Sequence, residues 1–377
     1  MRNLRVGVLI PGFSSDAHDW AIPVQLNLAR EQARYVDYRV IALRYPHRRD
    51  HYQVFGAQVY SLGYGADARG MRRLLLWRET LSLLERLHRE KPFDVLHAMW
   101  ADETGLIAGW FGRRHRIPVV VSILGGELAN LPRIDYGGQL SFYGQWVTGQ
   151  ALRMATRIQL VSGSVERMLA ASQYARYTDK GVRIPLGVDA ELFSPAEPDD
   201  YDPHRMICVA SLIPVKAQES LFIIMSKMRS PVTLDLIGTG GERDRLEGLA
   251  YRMGIRVNFV GHVPHEELPH YYQRAALHML TSKHETFALS VAEAAACGVP
   301  SIMIGDVGML PDYPSIGMVL QAGLTSTQKA QLIEGLLTDK LRLDVMRRAA
   351  RSTVEQELTL QLTAARLRDL YADLQTF

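Results

Sequence analysis

The sequence predicts an α/β protein made of two doubly wound parallel sheets, one in each half of the chain. Three observations lead there. Short apolar runs recur between helix-length stretches, which is the pattern of repeated strand–helix–strand units. A break rich in proline and acid interrupts the series once, and the series then restarts. At 377 residues the chain is also longer than one hydrophobic core usually serves.

In the first half the strand-like runs are 6–10, 36–43, 59–62, 94–99, 119–124, 158–162 and 182–184. The break runs from Phe193 to Pro203 and holds three prolines and four acids in eleven residues, a linker composition. The restarted runs are 206–210, 232–237, 257–260, 277–281, 301–304 and 318–321. The last ~50 residues read as helical, with Leu360, Leu362, Leu367, Leu370, Tyr371 and Leu374 at helix-like intervals. The expected organisation is a first domain over 1–192, a linker over 193–204, a second domain over 205–355 and a terminal helix over 356–377 that crosses back to the first domain. Open α/β sheets bind ligands at the carboxyl ends of their strands. Two such domains facing across a cleft would hold two substrates.

Composition narrows the class. With 47% hydrophobic and 22% charged residues, the chain is an ordinary globular one. A formal charge of +3 is too weak to argue for nucleic acid. The two cysteines, Cys208 and Cys297, read as buried small hydrophobes and fit a reducing compartment, so a cytoplasmic protein is expected. The N-terminus enters a strand directly and resembles no signal peptide, and no run reaches ~18 apolar residues. Arginines 72, 73, 78, 86 and 89 interleave with leucines and Trp77. The plainer reading is a sheet-covering helix with a solvated basic rim. The alternative is peripheral contact with an anionic bilayer, at the inner membrane face. Tyr136, Phe142, Tyr143 and Trp146, interspersed with Gly137, Gly138 and Gly144, form either a packed segment or a surface for a sugar acceptor or lipid.

The most informative segment runs from Ser282 to Pro300. It reads as the end of one strand, a turn, a helix and the turn into the next strand, and it carries Glu285 and Glu293. Glu285 falls at the strand's carboxyl end just before the helix and Glu293 about two turns into it, ~12 Å apart along the axis and ~80° apart around it. Carboxylates so placed can each accept hydrogen bonds from a vicinal pair of hydroxyls, with a diphosphate between them at the helix N-terminus. Singly, either glutamate is as readily explained by dipole compensation or solvation. Lys216 follows a strand and precedes a helix, a place where a cation would neutralise a diphosphate leaving group. Gly238-Thr239-Gly240-Gly241 forms a glycine-rich turn between strand and helix, and His262 follows Gly261 at another strand end. Both are weak signals of a nucleotide site.

Taken together and in this order, these segments resemble retaining glycosyltransferase family 4, enzymes of the GT-B fold that use sugar nucleotides. Glu285 and Glu293 fall on its E-x7-E motif. Ile184-Pro185-Leu186-Gly187-Val188-Asp189 resembles its segment before the linker. His97 and the Gly125-Gly126-Glu127 run resemble its acceptor-side loops, and Gly12 falls in its first loop. The resemblance implies that Glu293 binds the nucleotide ribose and that Glu285 lies near the donor sugar. It implies that Thr286, Phe287, Ala288 and Leu289 face the sugar and phosphate, and that Lys216 holds the diphosphate. It implies transfer of a hexose-type sugar to a hydroxyl acceptor with retention, without a catalytic metal or other cofactor. Asp200-Tyr201-Asp202 is then linker and not a metal motif.

The chain departs from the family pattern at several positions. Ser211 stands where an Arg is usual, Ala217 follows Lys216 in place of Gly, Leu124 replaces a His, Met99 replaces the frequent partner of His97, and Thr286 and Ala288 replace glycines. Thr286 would instead cap the helix through its hydroxyl. These departures keep a second reading open, a sugar-nucleotide-binding protein of the same fold with weakened transfer. An isomerase or phosphorylase acting on sugar phosphates is a third, without the ribose-reading carboxylate to favour it.

Overall fold

The computed structural model describes residues 4–19, 22–66, 68–196, 201–305 and 308–375. Asp200, Asp306, Val307 and residues 197–200 of the expected linker lie outside them. The chain divides into two compact units, Met1–Gly187 with Leu360–Phe377, and Val188–Thr359.

The first unit holds eight strands: β1 (Arg5–Gly12), β2 (Asp37–Tyr45), β3 (Asp50–Val54), β4 (Ala57–Ser61), β5 (Val95–Met99), β6 (Val119–Ile123), β7 (Arg157–Leu160) and β8 (Gly181–Arg183). Their order is β3-β4-β2-β1-β5-β6-β7-β8, parallel except for the β3–β4 hairpin. The hairpin turns at Phe55 and Gly56, both at positive φ, as a tight two-residue loop requires. The helices are α1 (Pro23–Gln32), α2 (Gly70–Glu90), α3 (Glu103–His115), α4 (Phe142–Met154) and α5 (Gly163–Ala171). The helices after β4, β5 and β6 connect strands that advance in one direction through the sheet. The right-handed crossover rule therefore sets α2, α3 and α4 on one face. Strand order reverses between β1 and β5, so the loops after these two strands diverge.

The second unit runs β9 (Asp202–Val209), α6 (Gln218–Met225), β10 (Thr233–Ile237), α7 (Arg243–Met253), β11 (Arg256–Gly261), α8 (Leu268–Gln273), β12 (Ala275–Leu280), α9 (Leu289–Ala296), β13 (Ser301–Ile304), β14 (Gly317–Leu320), α10 (Ser326–Thr338) and α11 (Lys340–Glu357). All of its sheet pairings are parallel, in the order β11-β10-β9-β12-β13-β14. Here the order reverses between β9 and β12. Every side chain of β12 is buried, as befits a strand covered on both faces.

The last helix, α12 (Leu360–Asp373), belongs to the first unit. Leu360, Ala364, Leu367, Leu370 and Tyr371 recur on one stripe and lie in that unit's core beside Leu26, Ala29 and Val40. Each large apolar side chain so buried contributes about 1.5–3 kcal/mol. Gln32 Nε2 donates to the Ala364 carbonyl at 3.0 Å and Thr363 Oγ1 to that of Pro185 at 3.1 Å. The unit boundary precedes the proline-rich stretch because residues 188–196 are tied to the second unit. Val188 N–H donates to Leu358 O at 2.9 Å. Phe193 is fully buried and packs edge-on against the rings of His265 and Tyr272.

Candidate functional site

The two strands at the reversal point of the second sheet present the candidate site. The loop after β9 forms a single 3₁₀ turn over Pro214–Lys216, and α6 follows. The loop after β12 runs alongside it. Lys283 N–H donates to the Val215 carbonyl at 2.8 Å, and Thr281 Oγ1 donates to the Lys216 carbonyl at 3.0 Å. Stitched this way, the loops bring Lys216 Nζ to 2.6 Å from Glu285 Oε1. Glu285 is only 7% exposed, and the ammonium supplies the partner that a nearly buried carboxylate requires.

Helix α9 begins at Leu289, later than the spacing of the two glutamates suggests. Its N-terminal capping position is Ala288, at φ +70, with no side-chain cap. Thr286 is therefore not the cap. Glu285 precedes the helix by four residues, and Glu293 lies little more than one turn inside it. The helical-wheel separation expected for the pair does not apply. The extended turn wraps Glu285, Thr286 and Phe287 around the N-terminus of α9, where backbone N–H groups favour anions. Gly308 closes the turn from outside. A Cβ there would come within 3.0 Å of the Phe287 carbonyl.

Glu293 is 5% exposed. Tyr272 OH donates to its Oε2 at 3.0 Å, and His265 Nδ1 lies 3.9 Å from Oε1. Burial pushes its carboxyl up to about 8, against the opposing pull of the Tyr272 hydrogen bond. Desolvation of a charge outweighs one neutral donor.

Gly238 and Gly240 also have a packing role that the sequence does not show. Both have positive φ, and Cβ atoms there would fall 2.1 Å from Ala210 O and 2.2 Å from Leu212 O. They allow the loop after β10 to lie directly on the loop after β9, with Leu212 N–H donating to Thr239 O at 2.8 Å. His262 is exposed beyond the end of β11.

In the first unit, Gly12 ends β1 at the reversal point, where a Cβ would meet that of Tyr45 at 3.0 Å. Glu127 ties the loops after β5 and β6 together. It accepts from the backbone N–H groups of Gly125 (2.6 Å), Leu124 (3.1 Å) and Ala101 (3.3 Å), and burial raises its carboxyl to about 7. Gly125 and Gly126 leave room for Trp100 and Tyr136, whose ring atoms lie 3.1 Å from where each Cβ would be.

His97 is not at a loop at all. It sits in the middle of β5, fully buried, with Nδ1 2.6 Å from Tyr371 OH and Nε2 2.6 Å from Ser122 Oγ. Ser122 Oγ donates to Gln159 Oε1 at 2.5 Å, and Gln159 Nε2 donates to Ile184 O at 2.9 Å. Because the Ser122 proton is spent on Gln159, Ser122 must accept from Nε2–H, and Nδ1 must accept from Tyr371. The histidine is thus a neutral link in a directional chain from α12 across the sheet. Desolvation lowers its pKa to about 3.

Among the described residues no group of three or more His, Cys, Asp or Glu side chains is placed to hold a metal ion, and no helix is long and apolar enough to cross a membrane.

Two family profiles match along the chain, a glycosyl transferase 4-like domain over residues 22–211 and glycosyl transferases group 1 over residues 189–353. The chain belongs to the glycosyltransferase 4-like family. Among relatives of this glycosyltransferase-like chain, a GDP-mannose-dependent monoacylated alpha-(1-6)-phosphatidylinositol monomannoside mannosyltransferase of Corynebacterium glutamicum is 28% identical. That match covers 50% of this chain and 55% of that protein. A D-inositol 3-phosphate glycosyltransferase of Frankia alni is 29% identical over 66% of this chain and 67% of its own length. The chain thus spans little more than half to two thirds of these relatives. Among solved structures, sucrose-phosphate synthase from Thermosynechococcus elongatus superposes with a TM-score of 0.78 at 20% identity, over 99% of both chains. Anabaena HepE in complex with UDP and glucose superposes with a TM-score of 0.74 at 16% identity, over 98% of this chain and 100% of its own. The fold of this family member is GT-B.

Sequence reading passes over three residues that shape the site. Tyr272 and His265 surround Glu293, and their signal is only that a glutamate on an otherwise small, apolar helix face needs partners. Arg243, the first residue of α7, donates to Phe259 O at 3.1 Å and lies beside Gly261. Its Nε also pairs with Glu247 Oε1 at 2.8 Å, so the guanidinium is held at the carboxyl edge of β10 and β11.

Proposed function

We propose that this chain transfers a hexose-type sugar from a nucleoside-diphosphate sugar to a hydroxyl acceptor, retaining the anomeric configuration. The observation that carries the reading is the Lys216–Glu285 ion pair across the reversal point of the second sheet, beside the N-terminus of α9. Open α/β sheets bind ligands at such a point. On this reading Lys216 and the amides around Phe287, Ala288 and Leu289 hold the diphosphate. Glu285 accepts from donor-sugar hydroxyls, and Glu293 accepts from the ribose pair. The departing phosphate oxygen takes the acceptor's proton as the new glycosidic bond forms on the same face. No side chain is then needed as a base, and the two glutamates bind rather than protonate, unlike the carboxylate pair of a glycoside hydrolase. Lys216 contributes by stabilising charge that develops on the leaving diphosphate. The loops carrying Gly12, Gly125, Gly126 and Glu127 are the acceptor side. The expected action is metal-independent and cytoplasmic.

Hydrolysis and transfer assayed across UDP-, GDP- and ADP-sugars test this. Turnover of at least one donor, abolished in Lys216→Ala, is the expected outcome. A donor that binds but is never cleaved would favour the weakened sugar-nucleotide-binding protein, the reading that Ser211 keeps open.

A further inference from the structure

A cavity of about 430 Å³ opens on the second unit between α11, Pro195, Ala196, Tyr201 and Gly298. Its volume is in the range of small-molecule sites. Leu343, Ala350 and Val354 turn the apolar stripe of α11 into the unit. A neighbouring stripe of the same helix, from Lys340 to Glu355, lines the cavity and is polar throughout.

This cavity is separate from the candidate donor site. Gly298 lies just beyond the C-terminal end of α9, and Tyr201 precedes the first residue of β9. Both belong to the amino-terminal edge of the second sheet. Lys216 and Glu285 follow the carboxyl ends of β9 and β12, so the two places lie at opposite ends of α9.

Cations outnumber carboxylates here, and the surplus is unpaired. Asp344 and Glu355 are the only acids among the described lining residues. Lys340 Nζ lies 3.4 Å from Asp344 Oδ2, and Arg351 Nε lies 2.7 Å from Glu355 Oε1. Arg351 Nη1 is also spent, on the carbonyls of Ala190, Phe193 and Ala296 at 3.1, 2.8 and 2.8 Å. Arg347 and Arg348 have no carboxylate partner among the described residues. The Arg347 guanidinium is held in place by the Tyr201 ring, 4.2 Å away, and by Nη1 donating to Ala275 O at 3.1 Å. Burial keeps it below the usual arginine range, as expected of a guanidinium short of a counter-charge. Ser352 Oγ accepts from Gln356 Nε2 at 2.8 Å and so has its own proton to give.

Two uncompensated guanidiniums and a hydroxyl donor suit a dianion with several acceptor oxygens. A phosphate monoester carries a charge of about −1.5 to −2 at pH 7 and three acceptor oxygens, and guanidinium forks grip phosphate oxygens in pairs. A single carboxylate would compensate only one of the two arginines. Pro195, Ala196 and Tyr201 add an apolar wall for the organic body of such a molecule.

We propose that this cavity is a second ligand site, which takes a small phosphate monoester. Arg347 and Arg348 hold the phosphate, and Ser352 donates to it. The site does not depend on sugar transfer. Its wall does reach the surroundings of Glu293, because Arg351 holds the carbonyl of Phe193 and the Phe193 ring packs on those of His265 and Tyr272.

Isothermal titration of the full chain with inorganic phosphate, ribose 5-phosphate and AMP tests the proposal and distinguishes the sources of the phosphate. At least one ester is expected to bind wild type, more tightly than inorganic phosphate. Arg348→Gln is expected to weaken it roughly tenfold or more, the effect of losing a hydrogen bond between charged groups. Arg348 is exposed, and a thermal melt confirms that the variant is folded. Arg252→Gln, which removes an exposed cation from α7, and Lys216→Ala are expected to leave probe binding unchanged. The proposal is overturned if neither ester binds, if inorganic phosphate alone does, or if Arg348→Gln binds as wild type does. Equal weakening by Arg252→Gln would overturn it as a general charge effect. Loss of binding in Lys216→Ala would overturn it too, since the probe would then occupy the donor site. Nucleoside diphosphate binding to Arg348→Gln is read separately, so the transferase reading stands or falls on its own.

Discussion

Two alanines at the candidate donor site adopt backbone conformations that favour glycine. Ala217, directly after Lys216, has φ +49 and ψ 39. Ala288, directly before α9, has φ +70 and ψ 69. An L-residue in the left-handed region costs ~1–2 kcal/mol. Glycine removes that cost but adds ~0.5–1 kcal/mol of unfolded-state entropy. The net gain from Ala217→Gly or Ala288→Gly is therefore ~0.5–1 kcal/mol each, and ~1–2 kcal/mol for the double variant if the sites act independently. For a unit of this length that raises Tm by roughly 2–8 °C. Urea denaturation and calorimetry of wild type, both single variants and the double variant measure it. A midpoint at or below wild type would refute the argument, because it would mean the alanine methyls return in packing what the backbone loses. Strain of this kind collects at functional sites. Here it sits on both loops flanking the Lys216–Glu285 pair.

Other outcomes follow from the same geometry. Tyr272→Phe removes the hydroxyl that donates to Glu293, leaves a buried acceptor unpaired, and is expected to cost ~1–3 kcal/mol. Equilibrium unfolding reads the cost, and nucleotide titration reads the accompanying loss of affinity. The His97 imidazole is held at about 3 by burial, below its unfolded value, so the native state binds fewer protons. The stability it contributes is fully present above about pH 6.5 and is lost as pH falls towards 3, with a slope of up to ~1.4 kcal/mol per pH unit. His97→Gln is expected to flatten the acid limb of the stability curve by that amount, and an unchanged slope would contradict the burial. Glu293 acts with the opposite sign. Its carboxyl is raised to about 8, so the stability it contributes is present below its unfolded value of about 4.5 and is lost as pH rises through about 8.

The alternation of apolar runs and helical stretches was enough to place both sheets, because buried parallel strands must be continuously apolar. It missed β3, an exposed, polar edge strand whose only signal is the Phe55–Gly56 turn. Lys216 and Glu285 are each legible as a charged residue at a strand end, while their ion pair is visible only in the structure. The start of α9 was not legible, since nothing in Thr286-Phe287-Ala288 announces a left-handed alanine as the capping residue. Gly238 and Gly240 are weak signals of a nucleotide site, and what the sequence does not show is that they also let two loop backbones lie in contact. His97 looked like a loop residue on resemblance, although its position inside an apolar run pointed to a buried strand. The partners of Glu293 come from α8, and a contact set by tertiary packing leaves no local trace. Helix α2 was visible as leucines among arginines. Only burial could tell that Leu76, Leu84 and Leu87 are the ones the unit covers.

Isothermal titration of UDP, GDP and ADP into wild type, Lys216→Ala and Glu293→Gln tests the donor site most directly. At least one nucleoside diphosphate is expected to bind wild type; Lys216→Ala is expected to weaken it roughly tenfold or more, from the loss of a hydrogen bond to a charged group worth ~1.5–3 kcal/mol, and Glu293→Gln to weaken it by a few-fold, from the loss of a hydrogen bond worth ~0.5–1.5 kcal/mol. If none of the three binds, or if both variants bind as wild type does, the donor site is not formed by Lys216, Glu285 and Glu293.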